Sequence, residues 1–516
     1  MHMKFDAVLV LDFGGQYCHL IGRRVRECNV YSETVSHDIS AKAIEKLEEK
    51  FNVKGLILSG GPQSVYEKDA PKLNSEVLES GLPLLGLCYG HQLLAHMMGG
   101  VVKWGEKKEF GITYATIDVP DDILEGLAKR EKVWMSHGDT VYSLPKEYET
   151  LAHTENCPVA AYRHRRKPLY GVQWHPEVVH TEHGMKILQN FLFEVCKCQP
   201  NWTMEDFIDR AVIETKRQIN GKKAIIALSG GIDSSTATAI TAKAVGKNLT
   251  AVFVDHGFMR EGEPEFVQKT FQKLSIDFTA INARKRFLDK LCGVVDPETK
   301  RKIIGEEFIR VFEEIARREG ADFLVQGTIY PDRIESGFRK FSDKIKTHHN
   351  VAGLPTKMEF KGIVEPLRDL YKDEVRKVAR KLELPEKIVT RQPFPGPGLA
   401  VRIIGEVTDE KLEVERKADK VVTDEIEKAG LKEGLWQYFA VLTDTKSTGV
   451  KGDSRAYGYT VAIRVMESRE AMTASFAKIP YEVLETISTR ITNEIPEVTR
   501  VVYDVTHKPP ATIEWE

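Results

Sequence analysis

No run of apolar residues in this 516-residue chain approaches the ~20 needed to cross a bilayer as a helix. Nor does a basic-then-apolar leader precede the first strand-like run, Ala7 to Leu11. Both absences leave the cytoplasm as the expected location and argue against membrane partners. Charge of one sign is lacking too. The 74 Lys and Arg face 76 Asp and Glu, for a formal net charge of -2, so no overall positive field draws the chain to nucleic acid. Local basic stretches such as Arg163 to Lys167 read as solvated faces. Cysteine is scarce and odd in number: seven residues in a long chain exclude a secreted disulfide framework. Cys196 and Cys198 have no second cluster at metal-ligand spacing, so they read as two thiols at a helix end. Repeats and low-complexity segments are absent.

The length exceeds what one core usually serves, and the composition, 42% hydrophobic and 29% charged, is that of a globular protein. Short β-branched runs alternate with helical patterns, which predicts α/β units with parallel sheets. Three regions follow. Residues 1–199 open on Ala7 to Leu11, with further strands at Gly55 to Leu58, Leu82 to Leu87 and Leu169 to Trp174 and a closing helix Gly184 to Cys196. Residues 200–391 hold a helix from Thr203, a strand Ala224 to Leu228, a Gly/Ser-rich loop, a helix from Ser234 to about Val245 and a strand Leu249 to Val254. Residues 392–516 begin in Gln392-Pro-Phe-Pro-Gly-Pro-Gly398, which breaks helix and strand alike. They continue through helices Asp409 to Ala429 and Tyr481 to Ile495 and strands Val461 to Val465 and Val498 to Tyr503.

Chemistry concentrates in two places. The first is Leu84-Leu-Gly-Leu-Cys88-Tyr89-Gly-His-Gln92, a strand, a cysteine, then a helix. Such an elbow exposes the sulfur at the sheet's end, with the helix N-terminus behind it. A cysteine nucleophile needs a base and the base an orienter, and His175-Pro176-Glu177 supplies both at another strand's end. Residues i and i+2 of an extended segment share a side, which brings Glu177 to His175. Ser59-Gly60-Gly61-Pro62 and the N–H of Tyr89 are candidate oxyanion donors. Alone, a cysteine is usually a small hydrophobe; the coincidence of three such elements at strand ends favours chemistry.

The second is Ser229-Gly230-Gly231-Ile-Asp233-Ser234-Ser235, between a strand and a helix. Its glycines let backbone N–H groups approach phosphate, and its hydroxyls and the helix dipole favour the anion. Lacking Gly-Lys-Ser/Thr, it is not a Walker A loop. Val254, at the end of the next strand, and Gln326, at the end of a later one, would close around a nucleotide. Lys346, His348 and His349 sit in a polar stretch that suits a mobile lid. Lys372-Asp-Glu-Val-Arg376 reads as helix surface.

On these motifs the first region resembles the class I glutamine amidotransferases, and the resemblance makes Cys88, His175 and Glu177 the triad. It further implies that Gly60, Gly61, Tyr89, Gln92, Ser136 and His137 hold the oxyanion and glutamine. The second loop resembles that of the N-type ATP pyrophosphatases, which implies ATP contacts from Ser229 to Ser235 and Mg²⁺ as counter-charge beside Asp233. The third region, with Phe394-Pro-Gly-Pro-Gly, Val450-Lys-Gly-Asp-Ser-Arg-Ala-Tyr457 and the ending Lys508 to Glu516, resembles the glutamine-hydrolysing GMP synthetases, although that family more often has another residue at 451. The resemblance spans essentially the whole chain. It implies an open amidotransferase sheet, a doubly wound pyrophosphatase sheet and a small α+β domain that dimerises. Its substrates would be ATP, glutamine and xanthosine monophosphate (XMP), with no tightly bound organic cofactor. The XMP contacts would come from Arg301, Lys508, Thr512, Ile513 and Glu514. The nearest alternative is the same coupled chemistry on another acceptor, such as an NAD precursor, but that enzyme normally carries a nitrilase-like glutaminase. A non-catalytic protein on these folds, or a tRNA-thiolating relative, fits less well.

Overall fold

The computed structural model describes residues 4–333, 360–468 and 473–516. They form two compact units, Met1–Asp206 and Phe207–Glu516.

The first unit is a mixed sheet with helices. Its elements run β1 Asp6–Asp12, α1 Cys18–Glu27, β2 Tyr31–Ser36, α2 Ala41–Glu48, β3 Asn52–Leu58, α3 Ser75–Glu79, β4 Leu84–Leu87, α4 Tyr89–Met97, β5 Val101–Ile117, β6 Arg130–Ser143, β7 Tyr148–His153, β8 Ala161–His164, β9 Leu169–Val172 and α5 Gly184–Gln189. The strand order is β2-β1-β3-β4-β9-β8-β7-β5-β6. It is parallel from β2 to β9 and antiparallel beyond. The Val8 to Leu11 run of β1 is buried on both faces, as expected for a central parallel strand. The helix expected from Gly184 to Cys196 changes character after Gln189. Residues Asn190–Val195 are π-helical, with Cys196 N donating to Phe191 O at 2.9 Å, a local widening of the kind found near functional regions. β9 stops two residues before the expected Trp174, and His175 to Glu177 lies in a turn.

The second unit begins in α6 Met204–Ile219, which crosses the boundary, and carries a parallel sheet: β10 Ala224–Ala227, α7 Ile232–Val245, β11 Leu249–Asp255, α8 Glu263–Phe271, β12 Asp277–Asn282, α9 Arg284–Leu291, α10 Pro297–Glu319, β13 Phe323–Val325 and β14 Gly362–Val364. The order β12-β11-β10-β13-β14 reverses direction between β10 and β13, and open sheets take ligands at the carboxyl ends beside such a switch. α11 Lys372–Lys381 and α12 Glu386–Val389 complete this part. Then follow α13 Asp409–Lys428, β15 Leu435–Lys451, β16 Ser454–Glu467, β17 Ser475–Phe476, α14 Tyr481–Glu494 and β18 Val498–Tyr503. In this last sheet β15, β16 and β17 are antiparallel and β18 runs parallel to β16. One apolar cluster runs from Ile225 and Val252 through Leu399 to Ile463 and Ile491.

Local signals position the functional segments. Asp296 caps α10 with Pro297 behind it, and Gly320 ends it at φ 64. Gly452 and Asp453, both at positive φ, make the two-residue turn between β15 and β16. Lys451, the departure from the family pattern, donates to the Thr492 and Pro496 carbonyls at 2.9 and 3.0 Å. It therefore caps the end of α14, where a cation suits the dipole. Among the described residues no helix is long and apolar enough to cross a membrane.

Candidate active sites

Cys88 stands between β4 and α4 at φ 53 and ψ -104, a conformation strained for any residue but glycine. The turn is tight because two glycines let backbones touch. A Cβ on Gly86 would lie 2.4 Å from Gly90 O, and one on Gly90 would lie 2.5 Å from Leu58 O. Backbone cannot yield as a flexible side chain can. Gly90→Ala is therefore expected to cost about 1–3 kcal/mol of stability, read as a lower midpoint in chemical denaturation; an unchanged midpoint would mean the elbow has slack.

β4 and β9 are parallel neighbours, and Cys88 N donates to Val172 O at 2.9 Å, so Cys88 and His175 emerge at adjacent strand ends. His175 Nδ1 meets Glu177 Oε1 at 2.7 Å, both residues buried. The carboxylate reaches the ring through the turn at Pro176 rather than along an extended strand, which corrects the reason for their meeting but not the meeting. Further bonds fix the backbone here: His175 N donates to Trp134 O at 3.0 Å, Thr181 Oγ1 to His175 O at 2.6 Å and Arg24 Nε to Glu177 O at 2.9 Å. Burial works against a charged imidazole, but the Glu177 carboxylate and Cys88 outweigh it and raise His175 to about 11. Because that pKa lies above the ~6.5 of a free histidine, the stabilisation is full below the free value and is lost as pH rises through about 11. Glu177→Gln removes the main raising partner. The alkaline limb of the glutaminase pH–rate profile is then expected to move down by at least about one pH unit, and an unmoved limb would show that Glu177 does not set the imidazole's charge.

The other residues expected in this site gather around Cys88. A Cβ on Gly60 would lie 3.3 Å from His175 Cε1 and 3.7 Å from Cys88 Cβ, and one on Gly61 would lie 3.1 Å from Tyr89 Cγ. The loop after β3 thus lines the cleft with backbone. Tyr89 heads α4 and its hydroxyl donates to Pro71 O at 2.6 Å. Ser136 contributes its carbonyl, 3.6 Å from Cys88 Sγ. Gln92 and His137 are each held by hydrogen bonds. Gln92 Nε2 donates to Asp139 O at 2.8 Å and Gln173 Oε1 at 3.1 Å. His137 Nδ1 donates to the same Asp139 O at 2.8 Å while Nε2 faces Glu109 Oε2 at 3.1 Å. Burial opposes ionisation of Glu109, yet bonds from His137 and Thr154 hold its carboxyl below the usual range. Sequence reading missed Tyr17, whose ring meets His175 edge-on at 5.0 Å.

In the second unit the Ser229 to Gly231 loop lies at the switch point after β10. Gly231 is the N-cap of α7 without a side-chain cap bond, which leaves the helix N–H groups for an anion. Ser229 and Ser234 hydroxyls lie 3.0 Å apart, and Gly231 N donates to Ser229 Oγ at 3.3 Å. Gly230, at φ 72, is held from behind by Arg391, whose Nη1 donates to Gly230 O at 2.7 Å. Asp233 Oδ2 accepts from Lys372 Nζ at 2.5 Å, while Oδ1 is buried with no protein partner. An unsatisfied carboxylate oxygen beside a phosphate loop is the donor that Mg²⁺ prefers, so the residues fit that ion. Ser235 is fully buried, its hydroxyl also without a partner. Val254 packs its side chain in the core and pairs with Ile281 of β12. Gln326 is tied to Val364 O through its N–H at 2.9 Å, and a Cβ on Gly327 would lie 2.9 Å from Asp233 C, so this strand end closes on the loop. Lys372, expected on a helix surface, instead reaches Asp233. A cation in the first turn of a helix opposes the dipole, and that was the signal for it. Lys346, His348 and His349 lie outside the described residues.

The residues expected to bind XMP meet at the end of the chain. Arg301 Nη2 bonds the Glu516 carbonyl, and its neighbour Lys300, fully buried, bonds Ile403 O at 2.7 Å and the Glu516 carboxylate. The carbonyls of Thr512 and Ile513 accept from Arg464 at 2.8 and 3.3 Å. Lys508 is bridged through its backbone to Ala474 at 2.8 and 3.0 Å, and Glu514 is gripped by Arg402 at 3.0 Å on each oxygen.

Three family models match the chain: glutamine amidotransferase class-I over residues 9–195, the PP-loop domain over 204–385, and the GMP synthase C terminal domain over 424–515. Glutamine-hydrolyzing GMP synthases of Caldicellulosiruptor saccharolyticus and Acetivibrio thermocellus are each 54% identical over 516 residues, with 100% of both chains covered. That of Finegoldia magna is 51% identical over 515 residues, again covering 100% of each. With identity of this order along its whole length, joined to a cysteine elbow and a phosphate loop on one chain, the protein belongs to the glutamine-hydrolysing GMP synthase family.

Proposed function

We propose that the protein makes GMP from XMP, ATP and glutamine, with residues 1–199 releasing ammonia, 200–391 activating the acceptor, and 392–516 completing the XMP site and joining two copies. The observation that carries this reading is Cys88, held at φ 53 beside the His175–Glu177 pair on the chain that also carries the Ser-Gly-Gly loop.

The cysteine sulfur attacks the glutamine carboxamide carbon. The cationic His175 beside it suits attack by a thiolate, and backbone N–H groups of Gly60 and Tyr89 meet the oxyanion. His175 then gives its proton to the leaving ammonia, which leaves a thioester on Cys88. Water, deprotonated by His175, releases glutamate. In the second site the O2 oxygen of XMP attacks the α-phosphate of ATP and pyrophosphate leaves. The Ser229 to Ser235 loop holds the phosphates, and Arg301 and Lys508 suit the XMP phosphate. Asp233 would hold Mg²⁺, which supplies counter-charge for the departing pyrophosphate. Ammonia displaces AMP from C2, giving GMP. The exposure of Val450 and Tyr457 on the β15–β16 hairpin, 75% and 71%, supports a homodimer through the third region. A cytoplasmic location fits an enzyme of free nucleotides.

The test is an end-point assay by mass spectrometry with ATP, Mg²⁺, XMP and either glutamine or ammonium. GMP, AMP and pyrophosphate are expected with both nitrogen donors. If AMP and pyrophosphate never form from XMP, the acceptor is a different one.

A further inference from the structure

Arg402 is among the largest side chains in the protein with no solvent exposure. It ends the short turn Gly398–Arg402 that follows the Pro/Gly run. That run is pinned in place, because Leu399 N donates to Phe258 O at 2.8 Å and a Cβ on Gly398 would lie 2.3 Å from the same oxygen. The guanidinium lies over the Phe439 ring, 3.9 Å from its centroid. Nε donates to Glu514 Oε2 and Nη2 to Glu514 Oε1, each at 3.0 Å, and Nη1 donates to Asp419 Oδ1 at 3.2 Å. Asp419 Oδ2 in turn meets Arg260 Nε at 3.0 Å. Two cations therefore face two carboxylates. The neighbouring Glu415 is kept out of this balance: burial first, then the charge of Asp419, hold its carboxyl well above the usual range.

Burying an ion pair is costly, and an apolar cluster of equal volume is often as stable, so stability alone does not explain the arrangement. Its geometric effect is on a segment that has no helix or strand after Tyr503. A carboxylate has roughly four lone-pair sites. Arg402 occupies one on each oxygen of Glu514, and Gln437 Nε2 occupies a second on Oε1 at 2.9 Å. What remains is one acceptor position on Oε2, on a side chain that keeps 16% exposure.

We infer that Arg402 is a positioning residue for the acceptor nucleotide, turning Glu514 so that its remaining Oε2 lone pair receives one ring N–H of the purine base. This rests on the reading that the C-terminal segment takes that nucleotide. Arg402 sets acceptor affinity without touching the acceptor, and it does so through the fork, which lysine cannot reproduce.

The experiment is steady-state kinetics on the full enzyme with ammonium as nitrogen donor, for wild type, Arg402→Lys, Glu514→Gln and the double variant. Arg402→Lys is expected to raise the XMP KM about tenfold, the loss of one charge-assisted hydrogen bond, with the ATP KM unchanged and kcat altered less. In the double variant the XMP KM should be no higher than in Glu514→Gln alone, since Arg402 then has no carboxylate to aim. Phe439→Leu, which removes the ring under the guanidinium but keeps an apolar side chain, gives the same readout if Arg402→Lys does not fold. It is expected to raise the XMP KM alone, and only when Glu514 is present. Multiplicative effects in the double variant, or a rise in both KM values, overturn the inference. If Glu514→Gln raises the XMP KM and Arg402→Lys does not, the inference alone fails. If Glu514→Gln changes nothing, the placement of the acceptor fails with it.

Discussion

Replacing Cys88 by alanine is expected to reduce glutamine-dependent GMP formation by about 10³-fold or more, the scale on which loss of a covalent nucleophile is felt, while ammonium-dependent formation stays within about twofold. The asymmetry follows from where the residue sits. Cys88 belongs to the first compact unit, and the phosphate loop, Asp233 and the C-terminal segment belong to the second. The substitution removes a sulfur that lies 3.6 Å from Ser136 O and interacts with His175, and leaves the Gly86 and Gly90 approaches that hold the turn. Alanine must still adopt φ 53, a strain that cysteine already bears, so a thermal scan beside the kinetics should show little change. A mutant that loses both activities while folded would mean that ammonia delivery and acceptor activation cannot be separated. A mutant that keeps glutamine-dependent synthesis would remove Cys88 from the reaction altogether.

What could be read from the sequence was whatever the chain states locally. The Cys88 elbow and the Ser-Gly-Gly loop are written in contiguous residues: a strand, a turn and a helix start, each within about ten positions. Even there the sequence misplaced the cause, since His175 and Glu177 meet through a turn rather than along a strand. The long-range anchors were not legible. Lys372 meets Asp233 across 139 residues, Arg391 meets Gly230 across 161, and Arg402 meets Glu514 across 112. An arginine in sequence looks like surface, because arginines are seldom buried unless paired, and the partner is invisible until the chain folds. The same holds for Gln92 and His137. Both side chains bond Asp139 O, and His137 also meets Glu109, partners that the motif itself does not name.

Asp233→Asn is the complementary prediction, and it should strike both nitrogen donors equally. The carboxylate has two tasks on two oxygens. Oδ2 accepts from Lys372 at 2.5 Å, and Oδ1 is buried without a protein partner, an arrangement worth its desolvation only if a ligand completes it. An amide preserves shape but removes the negative charge that both partners need. It also presents a donor toward either Lys372 or the ligand, so one of the two contacts is lost whichever way it turns. Pyrophosphate release from ATP and XMP is therefore expected to fall by about 10²–10³-fold, the usual effect of deleting one preorganised electrostatic contact, with a higher Mg²⁺ requirement. Lys372→Met should lower the same rate without changing the Mg²⁺ requirement as much, because it leaves Oδ1 in place and removes only the cation that orients the carboxylate. The magnesium titration is what separates a carboxylate that meets the metal from one that merely supports the loop. If Asp233→Asn and Lys372→Met slow pyrophosphate release alike and leave the magnesium midpoint where it was, Asp233 holds Lys372 against the phosphates and the metal is held by other groups.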